Sequence, residues 1–403
     1  MLNIYILVWT HPFGVVQSFG EMVAEGLRQN GANVTIFTVN DPAFAESIFE
    51  ISDTKKVDLV LSITLHSVYF KIDGEYLFKK IPSRYGIFFL DAPIYFTKEI
   101  DDLAQHMPDD TLLLFIDATH TKQMRQYLDT RHFGKFATVF FPHGGKQTHC
   151  EMTPKEARQT DLIVFATLDD QISATFSSSD NWQKVFPDLS RTPFASQRNK
   201  IVELSDSLIQ GNYALDLIEA LQIELSGDSL YSTTEGAILA ATFDSFLKRY
   251  RRLYLIKELI NSAYARQLSI SFYGSGWDKL GAIPDRWATF KPIHYDSQFD
   301  IFNQSKCVLN LDPNWATGTH DRVFNTMSAK SLAITNDNKY TSIIFDSASD
   351  CVTYNNVKEL PEKIEQGLAQ WDSLVERGHL NFSMNFTWKN RCLSIIHALE
   401  TRS

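Results

Sequence analysis

Short apolar runs recur along the chain, each followed by a loop and a stretch with helical spacing, and this alternation constrains the fold more than any other feature. The first run, Asn3–Trp9, leads into the loop His11-Pro12-Phe13-Gly14, an amphipathic stretch through Leu27, Gly31 and a second run, Val34–Val39. A strand, a helix and a second strand in that order make a crossover that sets the two strands parallel. Further runs follow at Leu59–Ile63, Gly86–Leu90, Leu112–Ile116 and Thr138–Phe141. Strands this continuously apolar belong to sheets covered on both faces. Residues 1–151 therefore read as one doubly wound α/β lobe.

From 152 to 247 the pattern changes to polar helical stretches and Ser-rich pieces such as Ser177-Ser178-Ser179, with one strand-like run at Leu162–Phe165. This segment reads as a mainly helical insertion or linker. The α/β alternation returns over 248–385, with a helix at Tyr254–Ala263, strands at Leu268–Tyr273, Cys307–Leu311 and Leu332–Thr335, and a helix from Asp321 to Lys330. An amphipathic helix at Trp388–Leu399 closes the chain within 386–403. Two lobes also suit 403 residues, a length at which one core gives way to two.

Composition narrows the functional classes. The net charge is −10 and the basic residues are scattered, apart from Lys248, Arg249, Arg251 and Arg252, so a nucleic-acid partner is not expected. The four cysteines, Cys150, Cys307, Cys351 and Cys392, lie far apart, show no metal-ligand spacing and fit a reducing compartment. No apolar run approaches the roughly 20 residues that span a bilayer. The expectation is a cytoplasmic protein without a transmembrane segment, with peripheral contact to a membrane-borne substrate left open.

Ligands of an open parallel sheet sit at the carboxyl ends of its strands, so the loops there carry the candidate residues. After the first strand, His11 is a candidate general base or sugar-binding group, with helix capping as the alternative; Phe13 and Gly14 stand beside it as acceptor-binding candidates. Asp91 ends another apolar run and is the candidate carboxylate that orients His11. Asp117 reads instead as a helix cap. In Phe141-Pro142-His143-Gly144-Gly145, His143 and Gly144 are acceptor- or sugar-binding candidates or a plain turn.

In the C-terminal half, one strand runs into Gly274-Ser275-Gly276-Trp277 and another into Asp312-Pro313-Asn314-Trp315-Ala316-Thr317-Gly318-Thr319-His320, just before a helix bearing Arg322. Amides at that helix start would bind a diphosphate, and Arg322 would add a charge-assisted bond. Walker A, the full GxGxxG pattern with its later acid, HExxH and a DxD pair are all missing from the sequence, which argues against ATP hydrolysis, NAD chemistry and a resident metal. No cofactor is expected beyond a nucleotide-linked co-substrate.

Taken together, the motifs resemble GT-B glycosyltransferases, and most of all the bacterial group related to the spore-maturation protein CgeB and to glycosyltransferases of the family 1 and 4 type. The resemblance rests on Phe141-Pro142-His143-Gly144, Tyr273-Gly274-Ser275-Gly276-Trp277, Leu309-Asn310-Leu311-Asp312-Pro313, Arg322-Val323-Phe324-Asn325 and Phe386-Thr387-Trp388-Lys389-Asn390-Arg391. It implies two Rossmann-like lobes facing a cleft and a final helix that crosses back to the first lobe. It also implies a nucleoside near Gly274, Gly276, Trp277, Lys291, Pro292 and Ile293, and a diphosphate at Gly318, Thr319, His320 and Arg322. Where such enzymes carry a ribose-binding glutamate, this chain has Asn325; where retaining members carry a second glutamate, it has Thr317.

The expected activity is metal-independent, inverting transfer of a hexose from a nucleoside-diphosphate sugar to a hydroxyl of a glycan, lipid or protein, in polysaccharide or glycoconjugate synthesis. His11 is read as base and Asp91 as its partner. The alternatives are a catalytically silent nucleotide-binding or scaffold protein of the same fold, and a sugar-nucleotide epimerase.

Overall fold

A computed structural model of the chain describes residues 1–52, 56–168, 194–210, 215–225, 230–231, 233–280, 283–311, 315–346 and 350–400. The chain divides into two compact units. Unit 1 holds Met1–Lys146, His294–Asp296 and the chain from Asn385 onward, and unit 2 holds Gln147–Ile293 and Ser297–Met384.

Unit 1 contains β1 (Asn3–Val8), β2 (Asn33–Thr38), β3 (Leu59–Ile63), a small antiparallel pair β4 (Lys71–Ile72) and β5 (Glu75–Tyr76), then β6 (Arg84–Phe89), β7 (Leu112–Phe115) and β8 (Ala137–Phe140). Its sheet has the order β2-β1-β3-β6-β7-β8 with every pairing parallel. The apolar runs make inner strands because both faces are covered: Ile4, Ile6, Leu59 and Leu61 are all fully buried. The Val15–Gln29 helix turns Val16, Phe19, Val23 and Leu27 inward at helical spacing. Asp117 caps the Ala118–Thr130 helix, accepting the Thr119 amide at 2.7 Å, as its position after β7 predicts. The Trp388–Glu400 helix packs along the Val15–Gln29 helix.

Unit 2 contains β9 (Thr160–Phe165), β10 (Ile270–Tyr273), β11 (Trp287–Phe290), β12 (Ser305–Leu309), β13 (Leu332–Asn336) and β14 (Val352–Tyr354) in the order β11-β10-β9-β12-β13-β14, again all parallel. The 152–247 stretch, read as a mainly helical insertion or linker with one strand-like run, belongs to unit 2 and supplies its sheet with β9. The run at Leu162–Phe165 is an inner strand, with fully buried Leu162 and Val164 registered against Ile270 and Phe272 on one side and Cys307 and Leu309 on the other. It begins two residues earlier than the apolar run, with Thr160 and Asp161, and Asp161 takes the Ser269 amide at 2.8 Å and the Lys306 ammonium at 2.7 Å. The helices Arg198–Gln210, Leu217–Glu224 and Thr234–Asn261 pack on one another between β9 and β10, and the stretch read as a helix over Tyr254–Ala263 is the end of the last, which stops at Asn261. Ser177–Ser179 lies outside the described residues.

The strand order reverses direction once in each sheet, between β1 and β3 in unit 1 and between β9 and β12 in unit 2. A switch of this kind opens a crevice at the carboxyl edge of an α/β sheet, where its ligands bind.

Candidate functional site

At the switch point of unit 2 stands Arg322. Its guanidinium lies 5.8 Å from the ring centroid of Phe165, the last residue of β9, and its Nη1 reaches Oδ1 of Asn310, just past β12, at 3.5 Å. Phe165 stacks on Tyr273 at 4.9 Å, and Tyr273 stacks on Phe290 at 4.7 Å, with interplanar angles of 15° and 14°. Parallel register explains the ladder, because the last residues of β9, β10 and β11 fall side by side on one face. The row continues inward, as Asn310 Nδ2 donates to Thr335 Oγ1 at 3.1 Å. It thus runs from an open aromatic end, Phe290, 43 % exposed, to a cation and a buried amide. The distance from Phe290 to Phe165 is two strand spacings, roughly 10 Å.

The helix bearing Arg322, Asp321–Ser328, begins beside this row. His320 caps it, taking the Arg322 amide through Nδ1 at 3.2 Å and the Val323 amide through its carbonyl at 3.1 Å, while its ring stacks on Trp315. The preceding loop is fixed by Asn338, a buried residue that sequence reasoning missed: its Nδ2 donates to the carbonyls of Trp315 and Gly318, at 2.8 and 2.9 Å. Gly318 and Thr319 are buried in that loop, Thr317 is half-buried, and Asp312 and Pro313 lie outside the described residues.

Several expected ligand contacts turn inward. Asn325 is fully buried and donates to Asp321 Oδ2 at 2.9 Å within its own helix. Trp277 is buried against Phe272 with ring centroids 4.7 Å apart and offers no face to a base. Gly274 and Gly276, at φ 139° and 81°, face their own chain: a β-carbon at either would strike the carbonyl oxygen of Ala166 or Leu168 within about 2 Å. Lys291 and Pro292 are exposed just beyond Phe290, and Ile293 is half-buried.

In unit 1, His11 is half-buried between Trp9 and Phe13, with ring centroids at 5.3 and 5.8 Å. Its Nδ1 accepts the Phe13 amide at 3.2 Å, which places the proton of the neutral ring on Nε2. The group that orients the ring through Nδ1 is therefore a backbone amide, not the exposed Asp91. Burial lowers the His11 pKa below its ordinary value. Phe13 is 42 % exposed, and Gly14 starts the Val15–Gln29 helix against His294.

His143 does not reach outward. It is 2 % exposed and its ring is packed among Phe19, Phe88 and Trp388, with centroids 5.2 to 6.3 Å away. A β-carbon on Gly144 would lie 3.0 Å from the Trp388 nitrogen, and the Gly145 amide donates to the Phe386 carbonyl at 2.9 Å. The His-Gly-Gly turn therefore docks the final helix. Among the described residues, no three His, Cys, Asp or Glu side chains gather into a metal-binding group, and no helix is long and apolar enough to cross a membrane.

Comparison with known proteins assigns this architecture. Residues 251–397 match a family described as glycosyl transferase-like. Over its full length the chain is similar in structure to sucrose-phosphate synthase from Thermosynechococcus elongatus, with a TM-score of 0.53, 10% identity and 99% of that chain covered. It is similar to Anabaena HepE in complex with UDP and glucose, with a TM-score of 0.52, 9% identity and full coverage of both chains. It is also similar to the catalytic domain of starch synthase IV from Arabidopsis thaliana bound to ADP and acarbose, with a TM-score of 0.50, 9% identity, and all of this chain and 99% of that one covered. No curated protein matches by sequence. The fold is GT-B, with two Rossmann-like lobes. The glycosyl transferase-like match lies within this fold, over residues 251–397.

Proposed function

We propose that the chain transfers a sugar from a nucleoside-diphosphate donor to an acceptor hydroxyl without a metal ion, and that unit 2 holds the donor. The observation that carries this is the row from Phe290 to Arg322, which offers an aromatic surface at one end and a guanidinium beside a helix N-terminus at the other. An extended nucleotide presents a base and a diphosphate at about that separation. The base stacks near Phe290 and Lys291, and the diphosphate meets Arg322 and the start of the Asp321–Ser328 helix. Neighbours of the same fold bound to UDP with glucose, or to ADP, are consistent with such a donor.

In the reaction, the acceptor oxygen attacks the anomeric carbon, the bond from that carbon to the diphosphate oxygen breaks, and the hydroxyl proton passes to water. Arg322 and the helix dipole stabilise the charge that develops on the leaving diphosphate. Attack opposite the leaving group inverts the anomeric centre. His11, with its proton on Nε2, donates to an acceptor oxygen and thereby positions it.

A catalytically silent nucleotide binder is the second reading, favoured by the burial of Asn325 away from any ribose. Thermal melting against UDP, GDP, dTDP, CMP and ADP, followed by donor turnover with and without acceptor, tests both. A nucleotide that raises the melting temperature and a sugar nucleotide consumed faster with acceptor support transfer. Binding without turnover selects the silent protein, and no shift with any nucleotide removes the donor site.

A further inference from the structure

The seam between the Val15–Gln29 and Trp388–Glu400 helices is tied at one end by a single carboxamide. The two helices come close at Gly26, where a β-carbon would lie 2.6 Å from the Trp388 carbonyl oxygen. One turn on, the half-buried Asn30 closes the contact: its Nδ2 donates to the Gly26 carbonyl at 2.8 Å and to the Lys389 carbonyl at 2.7 Å. Both hydrogens of the amide are thus engaged, one by its own helix and one by the final helix. The two oxygens it meets are acceptors, so the position requires a donor and disfavours a carboxylate.

Asn30 is followed by Gly31, the only Asn-Gly pair in the sequence. The glycine ends the helix at φ 85°, its amide donating to the Arg28 carbonyl at 2.9 Å and the Ala32 amide to that of Leu27 at 3.1 Å, which is a Schellman cap. Gly31 is exposed, and a β-carbon there would meet nothing within 4 Å. Asn-Gly is the pair most prone to lose ammonia, because no side chain shields the glycine nitrogen and the backbone turns freely about it. In that reaction the Gly31 nitrogen gives up its proton and bonds to Asn30 Cγ, ammonia leaves, and water opens the resulting succinimide to aspartate or isoaspartate. The fold holds both nitrogens back: the attacking one donates to Arg28, and the departing one to Gly26 and Lys389. Opening the seam at Lys389 frees the carboxamide. The carboxylate that replaces it has no hydrogen to donate, faces two carbonyl oxygens and sits at the negative end of a helix, so the tie does not re-form.

We infer that Asn30 is a deamidation site gated by the docking of the Trp388–Glu400 helix, and that its conversion turns a reversible opening of the seam into a permanent one. The inference does not depend on the transfer reading. The test incubates the full chain in mildly alkaline buffer, folded or in urea, with peptide mass spectrometry to follow loss of ammonia at Asn30 and enzymatic carboxyl methylation to detect isoaspartate. The expected conversion is about tenfold slower in the folded chain than in urea, since it proceeds only through local opening. Arg391→Ala, which removes the final helix's bond to the His143 carbonyl, speeds conversion at Asn30 severalfold and leaves the other asparagines unchanged. Asn30→Asp, the product made directly, speeds hydrogen exchange severalfold across the Trp388–Glu400 helix but not across Thr234–Asn261 in unit 2. Conversion equally fast in the folded chain and in urea, no conversion in urea, or a rate in Arg391→Ala equal to that of wild type overturns the inference. So does unchanged exchange of the final helix in Asn30→Asp, a measurement that stands even where Arg391→Ala does not fold.

Discussion

Asp321 and Asn325 form one buried unit, with the asparagine amide donating to the aspartate carboxylate at 2.9 Å across a single helical turn. A glutamate at 325, as the GT-B resemblance leads one to expect, would set two carboxylates against each other away from water. Asn325→Glu is therefore predicted to destabilise the protein by about 3–5 kcal/mol, the scale of an uncompensated buried charge. The double change Asp321→Asn with Asn325→Glu recovers much of the loss. Denaturant unfolding of the two variants measures both.

Arg322→Ala is expected to weaken nucleoside-diphosphate binding at least tenfold, read by titration calorimetry. Arg322→Lys restores only part of it, because an ammonium lacks the planar fork that bridges phosphate oxygens and lies over the Phe165 ring. Unchanged affinity in Arg322→Ala would move the phosphate site away from this switch point.

His11 separates two chemical roles. As a donor through Nε2 it is replaced in part by Gln, so His11→Gln should raise the acceptor KM more than it lowers kcat. As a base it is not, and His11→Gln would then abolish turnover. The pH dependence follows from the lowered pKa of the folded ring. Above the ordinary value near 6.5 the ring is neutral folded or unfolded and contributes nothing. As pH falls through 6.5 the unfolded chain binds the proton first, so stability is lost until the folded pKa is passed. Wild type should therefore lose melting temperature relative to His11→Gln between neutral and acid pH.

Gly144→Ala places a methyl group against Trp388 and Arg391 and is expected to cost about 1–3 kcal/mol of stability through overpacking. Ligand affinities per folded molecule stay unchanged. A selective loss of acceptor binding at full stability would return Gly144 to the acceptor site.

Most strands were legible because each is an apolar run bounded by turns, and Leu59–Ile63 falls where the sequence predicts it. The run at Leu162–Phe165 could be read as a strand, but its place at the centre of the second sheet could not, since the partners of its leading residues, Ser269 and Lys306, lie over a hundred positions away. The site was less legible than the fold. A glycine that admits its own chain looks the same in sequence as one that admits a ligand, and Gly144, Gly274 and Gly276 are of the first kind. His143 carries the same lesson, as a strand-end histidine that fills a core. The Phe165-Tyr273-Phe290 row could have been noticed as an aromatic ending to three successive strands, but only register sets those rings side by side.

Unit 1 takes its covering helix, Trp388–Glu400, from the far end of the chain, with Arg391 reaching the His143 carbonyl at 2.9 Å and Arg84 that of Ala398 at 3.1 Å. During synthesis the sheet of unit 1, made before that of unit 2, is thus the one that must wait for its last helix. Its Val15–Gln29 helix keeps an apolar flank open while unit 2 is being made, and a fragment ending near residue 146 would be a substrate for chaperones rather than an isolated acceptor domain.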